Sequence, residues 1–82
     1  MRYFFHIRDH GETILDEEGD EFDHPEDAAA SAVQAVQELA SARIKDGLVI
    51  DDQRLDLCDE NGVLLLSLSF QDVVRKQLKP QA

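Results

Sequence analysis

The stretch 23–47 constrains the fold more than any other part of the chain, because its apolar residues recur at helical spacing over six turns. On a wheel of about 100° per residue centred on Val36, the residues Ala29, Ala32, Val33, Leu39, Ala40 and Ile44 share one broad face. Glu26, Ser31, Gln34, Gln37, Glu38, Ser41 and Lys45 fall outside it. Asp23 with Glu26 three residues on has capping-box spacing, Pro25 suits a first turn and Gly47 supplies a stop. Glu26 and Asp27 open the helix and Arg43 and Lys45 close it, the order that the helix dipole favours. Half of the buried stripe is alanine, so the helix axis can lie close to the flat face of a sheet.

Two β-rich segments bracket this helix. Residues 3–8 are aromatic or β-branched on both parities, which marks a central strand, and residues 13–16 return after turn chemistry at Asp9, His10, Gly11 and Glu12. A two-residue His10-Gly11 turn sets Ile7 opposite Ile14; a loop slipped by one sets it opposite Leu15. The acidic run Asp16, Glu17, Glu18, Gly19, Asp20, Glu21 and Asp23 reads as an exposed connection, anchored by Phe22. After the helix, Leu48 and Ile50 are expected under the sheet edge. Residues 53–58 and 63–70 flank Asn61-Gly62, the strongest short hairpin signal in the chain. A two-residue turn there pairs Leu57 with Leu66 and Leu55 with Leu68, with Leu64 and Phe70 on the same face; a three-residue loop puts Asp56 against Leu66, which burial disfavours. The opposite face then carries Cys58, Val63 and Leu65. The strands starting at Tyr3 and Val63 are the most apolar and are expected at the centre. A short helical pattern over 71–79, with Val74 and Leu78 one turn apart, stops at Pro80. The expectation is one α+β domain over 1–82, ordered ββαββ: a four-stranded, mostly antiparallel sheet with one long helix across one face and a short C-terminal helix.

A chain of 82 residues builds one modest core and no deep cleft between lobes. Its net charge of −10, from 18 acidic and 8 basic residues, argues against a nucleic-acid partner, since such binding rests on Lys and Arg. A basic protein partner is compatible with it. The single cysteine, Cys58, offers no internal disulfide. No signal peptide or membrane-spanning run is legible, and a cytoplasmic location is expected.

No catalytic set, cofactor motif or metal motif emerges. His6, His10 and His24 lack the tight local pairing of transition-metal sites, and an EF-hand count from Asp16 puts Glu21, not glycine, at the sixth position. Ser67, Ser69 and His6 share a possible sheet face, but alternating serines on a strand are far more often a half-solvated face than a nucleophile with its base. Cys58 reads as a small apolar residue.

The segments Tyr3-Phe4-Phe5-His6-Ile7-Arg8-Asp9, Asp16-Glu17-Glu18-Gly19 and Asp59-Glu60-Asn61-Gly62, with the alanine-rich helix between them, resemble a family of short uncharacterised bacterial proteins, common in rhizobia and related alphaproteobacteria, known only as a domain of unknown function. The likeness spans nearly the whole chain and implies a bacterial cytoplasmic setting, with no activity, cofactor or catalytic residue to carry over. It marks His6, Arg8 and Asp9 as signature residues, whose plainest role is to organise the first hairpin.

The leading expectation is a non-enzymatic, self-associating interaction module. Phe4, Cys58, Val63 and Leu65 would leave an apolar patch on the sheet face the long helix does not cover, pointing to a homodimer unless residues 71–82 fold over it. An antitoxin-like or regulatory protein binding a basic partner is the alternative from charge, and a small-ligand or enzymatic site near His6 and Arg8 is a third.

Overall fold

The computed structural model describes residues 1–78 and is an α+β fold with an antiparallel sheet of five strands and two helices, one long and one short. In chain order the elements are β1 (Arg2–Asp9), β2 (Glu12–Ile14), β3 (Asp20–Glu21), α1 (Pro25–Lys45), β4 (Arg54–Asp59), β5 (Leu64–Ser69) and α2 (Phe70–Leu78). The expected stop at Pro80 lies outside the described residues. Among those residues no helix is long and apolar enough to cross a membrane.

The sheet order is β2-β1-β4-β5, with β3 also pairing β1. The expected four strands are therefore five, because part of the acidic run is not a plain loop: Asp20 pairs with Tyr3 and Glu21 with Arg2. Centrality differs too. β1 is central as expected, but its inner partner is β4, and β5 is an edge strand despite being more apolar. Leu55 and Leu57 of β4 are 1% exposed, whereas Leu64 and Leu65 of β5 are 55% and 45% exposed. Leucine count is a poor guide to strand position, since Leu66 and Leu68 find their burial on one face alone.

The first hairpin has the two-residue turn, with His10 and Gly11 both at positive φ and Ile7 opposite Ile14. Phe22 anchors the following segment against Tyr3 and Phe5, at ring separations of 6.0 and 6.2 Å. The helix begins one residue later than the capping box requires. His24 is the N-cap, without a side-chain bond, and Pro25 occupies the first helical position, so Asp23 lies outside the helix. At the other end Leu48 N–H donates to the Arg43 carbonyl and Gly47 N–H to that of Ile44, a Schellman closure at the expected glycine. The buried stripe is narrower than expected: Ala28, Ala32, Val36 and Ala40 are fully buried, Ala29 and Val33 partly so, and Leu39 and Ile44 are exposed. Three alanines let α1 sit so low on the sheet that contact shrinks to an i, i+4 line, which ends a turn before the helix does. Leu48 is likewise exposed, while Ile50 joins the core margin.

The second hairpin keeps the expected pairs, Leu57 with Leu66 and Leu55 with Leu68, by another route. Asp59 N–H donates to the Val63 carbonyl and Gly62 N–H to the Asp59 carbonyl, so the loop has three residues, Glu60, Asn61 and Gly62. Only Gly62 of these is at positive φ, as in a type I turn closed by a left-handed glycine. The resulting one-residue slip is undone by a bulge: Cys58 opposes Leu64 while Leu57 opposes Leu66, and Leu65 is the extra residue. Gly62→Ala is therefore expected to cost about 1–2 kcal/mol, the left-handed penalty of a side chain, and Asn61→Ala much less. Urea midpoints of the two single variants check this; equal losses would indicate a turn with positive φ at both positions.

The core joins Tyr3, Leu55, Leu57, Phe70 and Val73 to the alanine stripe and Val36. Ser69 Oγ accepts from Asp72 N–H, capping α2, which packs back onto α1.

Candidate functional site

Register sorts the sheet residues into two sets. The rows Phe5–Leu57–Leu66 and Ile7–Leu55–Leu68 face α1. Side chains alternate along a strand, so the rows Phe4–Cys58–Leu64, His6–Asp56–Ser67 and Arg8–Arg54–Ser69 lie on the other face. Because α2 packs on α1, both described helices are on one side and neither covers this open face.

Of the residues singled out from sequence, Phe4, His6 and Arg8 come together here. Asp9 falls on the helix side, Val63 is exposed at the hairpin tip, and Leu65 does not join the open face. It lines a recess with Pro25, Ala29, Leu57 and Leu66, and Leu64 takes the place expected for it. The bulge causes this exchange, since one inserted residue inverts the parity of everything on its turn side.

A polar network crosses the open face. Arg8 Nε lies 2.9 Å from Asp56 Oδ2, Ser67 Oγ donates to Asp56 Oδ1 at 2.6 Å, and Arg54 Nε donates to Ser67 Oγ at 3.0 Å. Ser67 thus gives its proton to a carboxylate already paired with Arg8, and its oxygen is held by Arg54. Burial, with the negative charges of Asp56 and Asp59, pushes the Cys58 thiol up, so the thiolate that would act as a nucleophile is disfavoured. Arg54 and Asp56 carry no sequence signal of this role, because only the strand register makes them neighbours of Ser67 and Arg8.

His6 and Asp16 join two of the sequence segments singled out above, 3–9 and 16–19. β2 and β3 pair opposite ends of β1 and leave a gap between them, which Asp16 fills. Phe5 N–H donates to Asp16 Oδ2 at 3.1 Å, Gly19 N–H donates to Oδ1 at 3.1 Å, and Asp16 N–H donates to His6 Nδ1 at 3.0 Å. A neutral His6 ring accepting at Nδ1 carries its proton on Nε2. It stacks on Phe4 with centroids 6.3 Å apart. Arg2 reaches the Glu18 carbonyl at 2.7 Å, and Gly19, at φ +70°, passes over β1. Asp-x-x-Gly beginning at Asp16 is thus a side-chain plug for an interrupted strand edge, and His6 belongs to the same knot.

Burial raises the Asp16 carboxyl, but the N–H groups of Phe5, Gly19 and Glu18, with His6 nearby, outweigh it and hold the group below its ordinary 3.8. A depressed folded-state value means that ionised Asp16 stabilises the fold at pH above the unfolded value, and that this contribution is lost as pH falls through 3.8 toward the folded value. The urea midpoint of the wild type should therefore exceed that of Asp16→Asn near neutrality, and the gap should narrow below about pH 4. A gap constant down to pH 3 would rule out the plug as its source.

A second cluster joins the first turn to the α1–β4 loop. Gln53, 1% exposed, donates from Nε2 to Asp9 Oδ1 and Asp51 Oδ1 and accepts from Asp51 N–H. Arg43 lies 3.7 Å from Asp9 Oδ2 and donates to the Val49 carbonyl. His10 Nε2 is 3.2 Å from Asp51, whose carboxyl is held below its usual range first by the Asp52 N–H, with Gln53 and His10 adding to it. Asp9, His10 and Asp52 bring potential metal-ligating atoms within 4.8 Å of one another, a convergence from two loops that spacing in sequence does not reveal. The cluster is largely exposed, and Asp9 is already engaged by Gln53 and Arg43. Its evident work is to tie the hairpin to α1, which gives Asp9 its place.

No curated protein and no solved structure matches the chain. A family model does, over residues 2–71, which takes in the β1 and Asp16–Gly19 segments, the helix and the second hairpin; the chain therefore belongs to the family described as domain of unknown function DUF6894.

Proposed function

We propose that this member of DUF6894 is a non-enzymatic interaction module that self-associates, in a bacterial cytoplasmic setting. The observation that carries the reading is the flank of the sheet formed by β5 and the adjoining row Phe4–Cys58–Leu64. Leu64 and Leu65 stand about half exposed there, beside a strip in which Arg8 and Arg54 are offset by Asp56. In a chain of charge −10 this is a surface that two copies bring together with little repulsion. The network on the open face supports the non-enzymatic part, since Ser67, Asp56 and Arg8 satisfy one another.

Light scattering at tens of micromolar is the test. The mass of two chains is expected, and the mass of one chain across that range would overturn the reading. A second reading, binding of a basic partner protein, draws on the exposure of Glu17, Glu18, Asp20, Glu21 and Asp23. It predicts capture of a basic protein at low salt and its release as salt screens the run.

A further inference from the structure

We infer that two copies of the chain join by antiparallel strand addition along β5, centred on Ser67, to make one continuous sheet; this rests on the reading of the chain as a self-associating module and specifies how it associates.

The two edges of the sheet are treated differently. On the β1 side the outer strands have three and two residues, they carry Glu12, Asp20 and Glu21, and the gap between them is plugged by Asp16. Short strands, charge and a covered gap are the devices that keep a sheet edge from pairing with another chain. β5 has six residues, and the run 61–71 around it contains neither a charge nor a proline. Its one irregularity, the bulge at Leu65, is confined to the turn end and leaves 66–69 regular.

The backbone of that regular part is aimed outward at one residue above all. Phe70 N–H donates to the Gln53 carbonyl, so Phe70, and by alternation Leu68 and Leu66, direct their backbone groups at β4. Ser67 directs its N–H and its C=O the other way, toward an edge on which no described strand lies; the C=O also accepts a long bond of 3.4 Å from the Arg54 guanidinium, which occupies one of its two lone pairs and leaves the other for a strand partner. Two β5 strands related by a two-fold axis at Ser67 exchange both of these bonds. The same register sets Leu66 opposite Leu68 of the second copy on the helix side, and Leu68 opposite its Leu66. The strand is therefore complementary to itself. A second copy is the occupant the register specifies, because the two-fold at Ser67 matches Leu66 with Leu68 in both directions, and the uncharged run 61–71 lets two chains of charge −10 meet there with little local repulsion.

Amide exchange at Ser67 tests the mode without a mutation. In one chain this N–H has no strand partner, so it should exchange fast in dilute samples and become protected as the concentration rises through the dimer transition. Mixed labelled and unlabelled chains should give an intermolecular Hα–Hα contact between Leu66 and Leu68. Ser67→Pro removes the outward donor while sparing the backbone bonds to β4, though it gives up the Ser67 Oγ bonds to Asp56 and Arg54, and should reduce the mass to one chain; Ser67→Ala, which gives up the same side-chain bonds but keeps the N–H, and Phe4→Ser, on the open face, should both leave the mass of two. A wild-type dimer with Ser67 N–H unprotected, or one that survives Ser67→Pro and is lost in Phe4→Ser, would overturn edge pairing while keeping self-association. A wild-type monomer would remove both.

Discussion

Val36→Asp is expected to unfold the domain. Val36 is fully buried at the middle of the α1 stripe, between Ala32 and Ala40 and above the leucines of β4. The chain around it offers no cation and no free donor in the core, where Gln53 is the one buried polar side chain among the described residues. An unpaired carboxylate placed there, together with the lost valine packing, costs an amount comparable to the whole of the roughly 5–10 kcal/mol that a domain of this size commands. The carboxylate has no nearby exit to solvent, because α1 lies so close to the sheet. A far-ultraviolet melt should show no cooperative transition at 25 °C and above; a melt near that of the wild type would mean that the helix presents another face. Leu39→Asp serves as the contrast, since Leu39 is 42% exposed, and should melt near the wild type.

Gly19→Ala is the second large effect, and it comes from a residue in what reads as a surface loop. Gly19 lies at φ +70°, and a Cβ built there would stand 2.7 Å from the Tyr3 carbonyl oxygen and 2.9 Å from Phe4 Cε1. The Tyr3 oxygen is backbone of the central strand and cannot swing aside. The left-handed conformation costs an alanine about 1–2 kcal/mol by itself, and relieving the clash pulls Gly19 N–H from Asp16 and loosens the plug on β1. A total of about 2–4 kcal/mol is expected, in the range of core truncations. Chemical denaturation measures it. Gly11→Ala is the control, because Gly11 shares the positive φ but would meet nothing within 4 Å. If the two glycines cost the same, the clash with β1 contributes nothing.

Both results bear on how the residues of β1 are used. Its residues look like a functional run because aromatic, histidine, arginine and aspartate side chains follow one another so closely. The structure divides them among three jobs: Tyr3, Phe5 and Ile7 enter the core, His6 joins the Asp16 knot, and Asp9 ties the turn to Gln53 and Arg43. Only Phe4 and Arg8 remain wholly with the open face.

What the residues determine by themselves is whatever depends on neighbours within a few positions. The alanines of the α1 stripe, the helix end at Gly47 and the pairing of Leu57 with Leu66 follow from local spacing and from which backbone angles each side chain tolerates, whereas the first hairpin leaves two registers open in sequence and the fold takes the one with Ile7 opposite Ile14. What the tertiary structure decides are contacts between distant segments, for which sequence holds no period. β4 rather than β5 is central because β1 pairs with it after a helical crossover, and Asp20–Glu21 is a strand because β1 offers an edge there. Asp16 is a plug because that edge is interrupted. The exchange of Leu64 and Leu65 shows the limit most directly: the hairpin register was legible to the residue, yet a loop one residue longer and a bulge one residue wide cancel in the pairing of Leu57 with Leu66 and do not cancel in the faces beyond it, since a strand's two sides differ by a single step along the chain.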